Sequence, residues 1–507
     1  MAASSTPVET HNARRVLALE VKGQGSEVKV GVRACFDPRP LTFDLGAVVH
    51  SPAVPRYPDS AVFYRDLTLD YPVIVRGEGC WLYDDKGERY LDAVGGAFVV
   101  NIGHGVREIA DAMARQASRI AYVNSSAFTH EAVEELSTLL IERTPAFDKA
   151  YFLCSGSEVT EAALKLARQH WLARGEPTRN RVIALKPSYH GNTLLALSAS
   201  AREHYRTYFG DWLVDVARIP APDPYRCGCG GSGRNCANCS GDVLADTIAR
   251  LGANTIAAFI AEPIGGSSSG AVVPNADYWP RVREICDRTG VLFIADEILC
   301  GAGRTGTWTA IETWGVAPDI MTLGKGIASG YAALSAVLTT ERVIDPIVQS
   351  GKSFVHAQTF SHHPIACAAG VATVGYIEEH RLVERCAEMG RVFHGKLSGL
   401  RGLPHVGDIR GRGLLAAVEF VADVDTREPF ARSEQFAERF TNAARAGGLI
   451  VWPNIGHVDG ERGDTIMLAP PFVVSAAELD ELTQRFSSAL EATVGSAPVR
   501  SLGASTA

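Results

Sequence analysis

The chain has no apolar run approaching the ~18 residues of a membrane span, and its start, MAASSTPVETHNARR, lacks the apolar core of a secretory signal. Nor does it carry an excess of basic residues. Lys and Arg number 49 against 57 Asp and Glu, a formal charge of -8, so no general electrostatic attraction draws it to nucleic acid or to an anionic membrane. Eleven cysteines in a chain this long do not make a disulfide scaffold, and no internal repeat recurs at a fixed period. A cytoplasmic protein with a small-molecule partner is expected. What is present is ordinary globular composition, 46% hydrophobic and 21% charged, over 507 residues, enough for a large core and more than one domain.

One stretch organises the rest: VLFIADEILCGAGRTGTWTAIETWGVAPDIMTLGK, from Val291 to Lys325. Val291 to Ala295 is a short apolar run after Thr289-Gly290, the pattern of a strand buried on both faces of a parallel sheet. Asp296 and Glu297 then stand at its carboxyl end, where ligands bind in open α/β sheets. A second strand-like run, Asp319 to Leu323, delivers Lys325 between two glycines in the same way. A lysine can form a Schiff base with an aldehyde cofactor, and a carboxylate against a pyridine nitrogen keeps that nitrogen protonated, which is the chemistry of pyridoxal phosphate. Taken singly, Asp296 reads more simply as a helix cap and Lys325 as a solvated loop lysine.

From Ala150 to Leu334 the strand candidates KAYFLC, RVIALK, IAAFIAE, VLFIADE and DIMTLGK alternate with helical stretches. This predicts an α/β fold with a parallel or mostly parallel sheet covered by helices. Upstream, YPVIVRGEGCWLYDDKGERYLDAVGG reads as two β runs joined at Asp84-Asp85-Lys86-Gly87. Helical spacing follows in Ile109, Met113 and Ala117, and again in Val133, Leu136, Leu139 and Leu140. Downstream come a long helix from about Gly370, RGRGLLAAVEFV as a strand candidate, and a final amphipathic helix from Ala476 to Val494. Residues 1 to about 60 are irregular, with a short possible strand from Glu27 to Val32, and the tail GSAPVRSLGASTA has a disordered composition.

Other motifs sit at the remaining strand ends. In FLCSGSEVTEAALKLAR a strand, a small-residue turn and a helix follow one another, so Gly156, Ser157 and the helix amides suit a phosphate. The same residues also read as a simple capped helix, with Ser155 or Ser157 as the N-cap. Ser188-Tyr189-His190-Gly191 places an aromatic ring where it can stack on a flat cofactor, and Glu262 is a further acid at a strand end.

As an ordered set these motifs resemble the class III aminotransferases, pyridoxal-phosphate enzymes of fold type I, over residues from about Tyr71 to Val494. The resemblance implies a large domain with a mostly parallel sheet (116–375) and a smaller α+β domain built from 61–115 and 376–494. Residues 1–60 are then an extension and 495–507 a tail. It matches Lys325 to the Schiff-base lysine, which also serves as the proton-transfer base, and Asp296 to the partner of the pyridine nitrogen. Gly156 and Ser157 match the phosphate turn, Tyr189 the stacking ring, and Ile298 the aliphatic residue on the ring's other face. His190 and Glu262 fall beside them, and Arg410 takes a supporting position. Thr359, in HAQTFSHHP, matches a threonine that reaches the phosphate of the neighbouring subunit's cofactor, which implies a homodimer with shared sites.

Departures from the pattern bear on substrate. Ornithine- and 4-aminobutyrate-type relatives carry a carboxylate-binding arginine where TIMLAPPF has Met467, and those that gate it use a glutamate where this chain has Ser267. The ω-amine:pyruvate type places its arginine earlier; here Trp452 stands there, followed by a loop with Arg462, whose guanidinium suits a keto-acid carboxylate. Phe98, Trp452 and Met467 read as walls of an apolar substrate pocket or as ordinary packing residues. Leu299 replaces a glutamine that in some relatives contacts the cofactor's phenolic oxygen. Cys227, Cys229, Cys236 and Cys239 lie in a Gly-rich insertion and read as a structural zinc site or as reduced thiols.

The expected activity is amino transfer from a primary amine or ω-amino acid to a keto acid or aldehyde. An aminomutase, racemase or decarboxylase would keep the same lysine and aspartate, and a non-catalytic binding protein would keep the fold.

Overall fold

The computed structural model describes residues 59–67, 69, 71–227 and 236–496. The strand anticipated at Glu27–Val32, the C-terminal tail from residue 497 and Cys229 lie outside them. By its contacts the chain from Tyr71 onward is one unit and residues 1–70 another; residues 59–67 contain only turns and bends.

Strands β1 (Ile74–Glu78), β2 (Trp81–Asp84) and β3 (Arg89–Asp92) form an antiparallel meander. Asp84 builds the anticipated β2–β3 turn by accepting from the backbone N–H groups of Lys86 (3.0 Å) and Glu88 (2.9 Å). The first β run, read as a single strand, is itself folded in two. Gly79 adopts φ +55°, which a side chain disfavours, and its backbone pairs with His104.

Seven strands make the central sheet: β4 (Lys149–Leu153), β5 (Arg181–Lys186), β6 (Ala217–Pro220), β7 (Ile256–Ala261), β8 (Leu292–Asp296), β9 (Ile320–Leu323) and β10 (Ser335–Thr339). Their order is β4-β10-β9-β8-β7-β5-β6. Only β10 runs against its neighbours, pairing antiparallel with both β4 and β9. Strands β7 to β10 are buried along their whole length, as the uninterrupted apolar runs require.

Alternation along β8 divides its side chains between two apolar layers. Phe293 and Ala295 pack in the layer that includes Trp279 and Val282 of the helix Tyr278–Thr289, with the Trp279 ring stacked 5.5 Å from Phe293. Leu292 and Ile294 pack in the other, with Val159, Ala162 and Ala163 of the helix Gly156–Ala173. Asp296 is the next residue on the Leu292–Ile294 side, toward the helix that begins at Gly156.

The stretch RGRGLLAAVEFV, anticipated as one strand, belongs to a hairpin of β11 (Val406–Arg412) and β12 (Leu415–Phe420). Its turn falls at Gly413, where φ is +59°. Strands β13 (Leu449–Ile450), β14 (Trp452–Ile455) and β15 (Asp464–Leu468) follow. The order β11-β12-β15-β14 makes an antiparallel sheet, while β13 returns to pair in parallel with β3. The final helix, Ala476–Gly495, opens with a capping box of Ser475 and Glu478 and buries Phe486 against Phe440 (4.6 Å between ring centroids). Among the described residues no helix is long and apolar enough to cross a membrane.

Candidate active site

A cavity of about 320 Å³ opens at the carboxyl ends of the central strands, lined by Lys325, Asp296, Glu262, Tyr189, His190, Ile298 and the Ser155–Ser157 turn among others. Each of these side chains arrives at the end of a buried strand or in the turn that follows it. Asp296 is held from three directions. Its Oδ2 accepts from His190 Nδ1 at 2.7 Å, and its Oδ1 accepts from the Thr322 hydroxyl at 3.2 Å and the Ile298 N–H at 3.1 Å. Lys325 follows β9 with φ +45° and is half-buried, its Nζ 5.4 Å from the centre of the Phe98 ring.

The opposite wall is the start of the helix Gly156–Ala173, capped by Ser155, whose hydroxyl accepts from the Glu158 N–H while Glu158 answers the Ser155 N–H. The capped-helix reading and the anion-cradle reading thus hold together: the cap uses one amide and the first turn still presents others, where an anion is favoured. Gly156 lets Ile298 pack close: a Cβ there would meet Ile298 Cδ1 at 3.1 Å and push that side chain back. Gly191 is required twice over. Its φ is +137°, and a Cβ would meet Ser157 Oγ at 2.6 Å and the Ser157 backbone at 2.8 Å. The Ser157 hydroxyl accepts from the Asn192 N–H at 2.9 Å, which fixes its direction.

Burial and mutual proximity tune the charges. Burial lowers the Lys325 pKa, against the opposing charges of Asp296 and Glu262, so its neutral form is easier to reach. Burial disfavours a protonated His190, but the Asp296 hydrogen bond and charge outweigh it and raise its pKa. Glu262 accepts from the N–H groups of Tyr189 (3.2 Å) and Gly266 (3.0 Å). Burial nonetheless pushes it up to about 7 from an ordinary 4.5, with Asp296 adding to the rise and His190 opposing it.

A stability consequence follows from Glu262. Its folded-state pKa lies above the unfolded value, so between the two the native state holds the extra proton, and its contribution to stability is lost as pH rises through about 7. Glu297, raised to about 7 by burial, acts in the same direction. In the cofactor-free protein, Glu262→Gln is expected to make the fall in thermal midpoint from about pH 5 to about pH 8 shallower than in wild type. Equal slopes would contradict the assignment.

The remaining candidates divide. Ser267 and Leu299 line the cavity. Phe98 is buried beside Lys325, with its ring 5.6 Å from that of Trp452. Met467 is fully buried in the apolar cluster behind them, opposite Trp452 in the β14–β15 register, and is not part of the cavity wall. Arg462 is also outside it, ion-paired with Asp459 (2.8 Å) and Glu428 (2.7 Å). Thr359 is exposed and away from its own chain's cavity; its carbonyl accepts from the Tyr122 hydroxyl. Arg410 donates to the carbonyls of Gly270 (2.6 Å) and Ser269 (3.0 Å), bracing the loop that carries Ser267.

Several supporting residues escaped the sequence reading. Thr322 donates to Asp296, Ser200 Oγ accepts from the His190 N–H at 2.8 Å, and Thr160 Oγ1 donates to the His190 carbonyl at 2.8 Å. A threonine inside the otherwise apolar β9 was the one visible signal. The pairing of His190 with Asp296, across 106 residues of sequence, left no local sign.

The cavity fits pyridoxal phosphate on the chain's own atoms. It joins a half-buried amine, a buried carboxylate, an aromatic and an aliphatic wall, and an anion-seeking helix start. His190 Nε2, buried in the same wall, has no hydrogen-bond partner among the described residues.

Comparison with known proteins agrees. The family model described as aminotransferase class-III matches residues 66–490. An uncharacterized aminotransferase of Schizosaccharomyces pombe is 37% identical, over 86% of this chain and 96% of its own. A putrescine–pyruvate aminotransferase of Pseudomonas aeruginosa is 32% identical, over 81% and 88%. The solved structure of an amine transaminase from an uncultivated Pseudomonas species, in its PLP-bound form, superposes with a TM-score of 0.77 at 36% identity, covering 83% of this chain and 95% of that one.

Proposed function

The chain belongs to the class III aminotransferases, enzymes that move an amino group to a keto acid with pyridoxal phosphate, and on that premise we propose how its residues divide the work. Pyridoxal phosphate, when bound, supplies an aldehyde that exchanges amines and a ring that accepts the electron pair a departing proton leaves behind. Lys325 Nζ would hold the aldehyde end and, when released, would be the base placed to take the proton from the amine-bearing carbon. Burial lowers its pKa, which makes the neutral form that both tasks need easier to reach. Asp296 places a negative charge at the ring nitrogen, and its three hydrogen-bond donors keep the carboxylate from turning away. The amides of the first helical turn at Gly156 and Ser157 bind the phosphate, and Tyr189 and Ile298 bracket the ring. The observation that carries this reading is that Lys325, Asp296 and the Gly156–Ser157 turn line one cavity.

For substrate we infer an apolar primary amine or an ω-amino acid as donor, and pyruvate or a similar keto acid as acceptor. Leu299 lines the cavity, with Phe98 and Trp452 in the apolar cluster it belongs to, and the gated arginine of the ornithine type has no counterpart at Met467 and Ser267. Arg462 reaches a substrate carboxylate only by giving up its pairs with Asp459 and Glu428. We also infer a homodimer in which Thr359 serves the partner's cavity. Exposed Tyr122 and Phe360 lie beside Thr359, apolar surface of the kind that marks an interface. The pairing of β13 with β3 supports a smaller domain shared by residues 61–115 and 376–494. Pyridoxal chemistry needs no metal, so the cysteine cluster stands outside this reading.

A screen of amine donors with pyruvate, read by alanine formed, tests the substrate assignment. Aliphatic or arylalkyl primary amines are expected to be turned over faster than ornithine. A preference for ornithine would contradict it.

A further inference from the structure

The insertion between β6 and the helix Asp242–Leu251 brings three thiols together. Cys227 closes the stem that follows Asp223. Cys236 and Cys239 flank and enter the short helix Ala237–Ser240. The three sulfurs lie within 4.8 Å of one another, and the Cys227 and Cys239 Sγ atoms are 3.2 Å apart. That is well beyond the ~2.05 Å of a disulfide. It is close to the separation of roughly 3.8 Å that sulfurs adopt around one ion with Zn–S bonds of ~2.3 Å in a tetrahedron. Cys239 is almost wholly buried, so its thiolate would be costly there unless a cation shared it. We propose that Cys227, Cys236 and Cys239 bind one zinc-class divalent ion as three corners of a tetrahedral thiolate site.

The stem shows what such an ion would hold. Arg226, next to Cys227, donates from Nε to buried Glu419 at 2.6 Å and from NH1 to the Arg427 carbonyl at 2.8 Å. Glu419 is shared with Arg410, the residue that grips the Ser269 and Gly270 carbonyls of the loop lining the cavity. One ion bound from both ends of the insertion ties Cys227 to Cys236 and Cys239, so the stem is stabilised in the position that supplies Arg226. The role is that of a brace, set apart from the reacting atoms.

The test uses the full-length protein with pyridoxal phosphate bound, purified without chelator. Elemental analysis is expected to find about one zinc per chain, and Cys236→Ser to lose most of it while keeping the cofactor's absorbance. Chelator treatment of the wild type should lower its thermal midpoint to that of Cys236→Ser and leave the variant's midpoint unchanged. Three results would overturn the proposal: no stoichiometric metal even after incubation with zinc chloride, undiminished metal in Cys236→Ser, or Cys227 and Cys239 found disulfide-linked by mass spectrometry of freshly isolated protein. If Cys236→Ser does not fold, the wild type decides: its thiols should resist a thiol reagent until chelator is added, and equal reactivity with and without chelator would overturn the site.

Discussion

Lys325→Ala is expected to lower amino transfer by about 10⁴-fold or more, with the fold and thermal midpoint little changed. Two losses combine in this variant. A positioned general base typically contributes 10²–10⁴-fold, and the group that holds the aldehyde ready for exchange disappears with it. Among the described residues no other lysine lines the cavity, so no neighbouring amine substitutes. Alanine fits the space, because the half-buried Lys325 ammonium beside Phe98 makes no side-chain hydrogen bond among the described residues that its removal would orphan. Kinetics of the variant with its best donor, alongside its melting curve, check both halves of the expectation. Retained activity would mean that the lysine is not the proton carrier and that the chemistry lies elsewhere in the cavity.

The second large effect is expected from Asp296→Asn, a change of one atom and one charge. Asparagine keeps an oxygen for the Ile298 N–H and the Thr322 hydroxyl, so the backbone of the turn is retained. What is lost is the negative charge that favours a protonated ring nitrogen, and with it the ring's capacity to accept electrons. The new amide also faces His190 Nδ1, which in wild type donates to Asp296 at 2.7 Å, so His190 must give up its proton there. A fall in kcat of about 10²–10⁴-fold is expected, the range in which a buried electrostatic contact acts on a transition state. Asp296→Glu, which restores the charge at a displaced position, should recover part of it. If Asp296→Asn kept wild-type kcat, the carboxylate would be a structural anchor for His190 only.

Much of the catalytic side of the site was legible because it rests on local patterns. An apolar run that stops at Asp296, a lysine between glycines after a second run, and a small-residue turn before an amphipathic helix each state a strand end or a helix start directly. The parallel sheet was legible from the same runs, since strands buried on both faces need no alternation. The hairpins were less so: in RGRGLLAAVEFV only the second arm is apolar, the short Arg-Gly-Arg end of β11 runs into it without a turn signature beyond glycine, and the positive φ at Gly413 reveals the reversal. The substrate side was hidden for a different reason. Met467 matched a pocket position by alignment of motif, and Arg462 was reached as a loop arginine after Trp452, but which side chains of the wholly buried β15 look toward the cavity depends on its register against β12 and β14. One of the two ion pairs of Arg462 depends on Glu428, 34 residues away. Such contacts are tertiary facts that no window of sequence contains.

The most direct measurement is a single half-reaction. Full-length protein with bound pyridoxal phosphate is mixed with an amine donor and no acceptor, and the carbonyl product is quantified while the cofactor's absorbance is followed. Residues arranged for amino transfer predict about one equivalent of ketone or aldehyde per chain, a matching loss of the aldehyde form of the cofactor, and recovery of that form on adding pyruvate. Continuous product formation without an acceptor, or loss of donor with no carbonyl product and no change in the cofactor, would contradict the account.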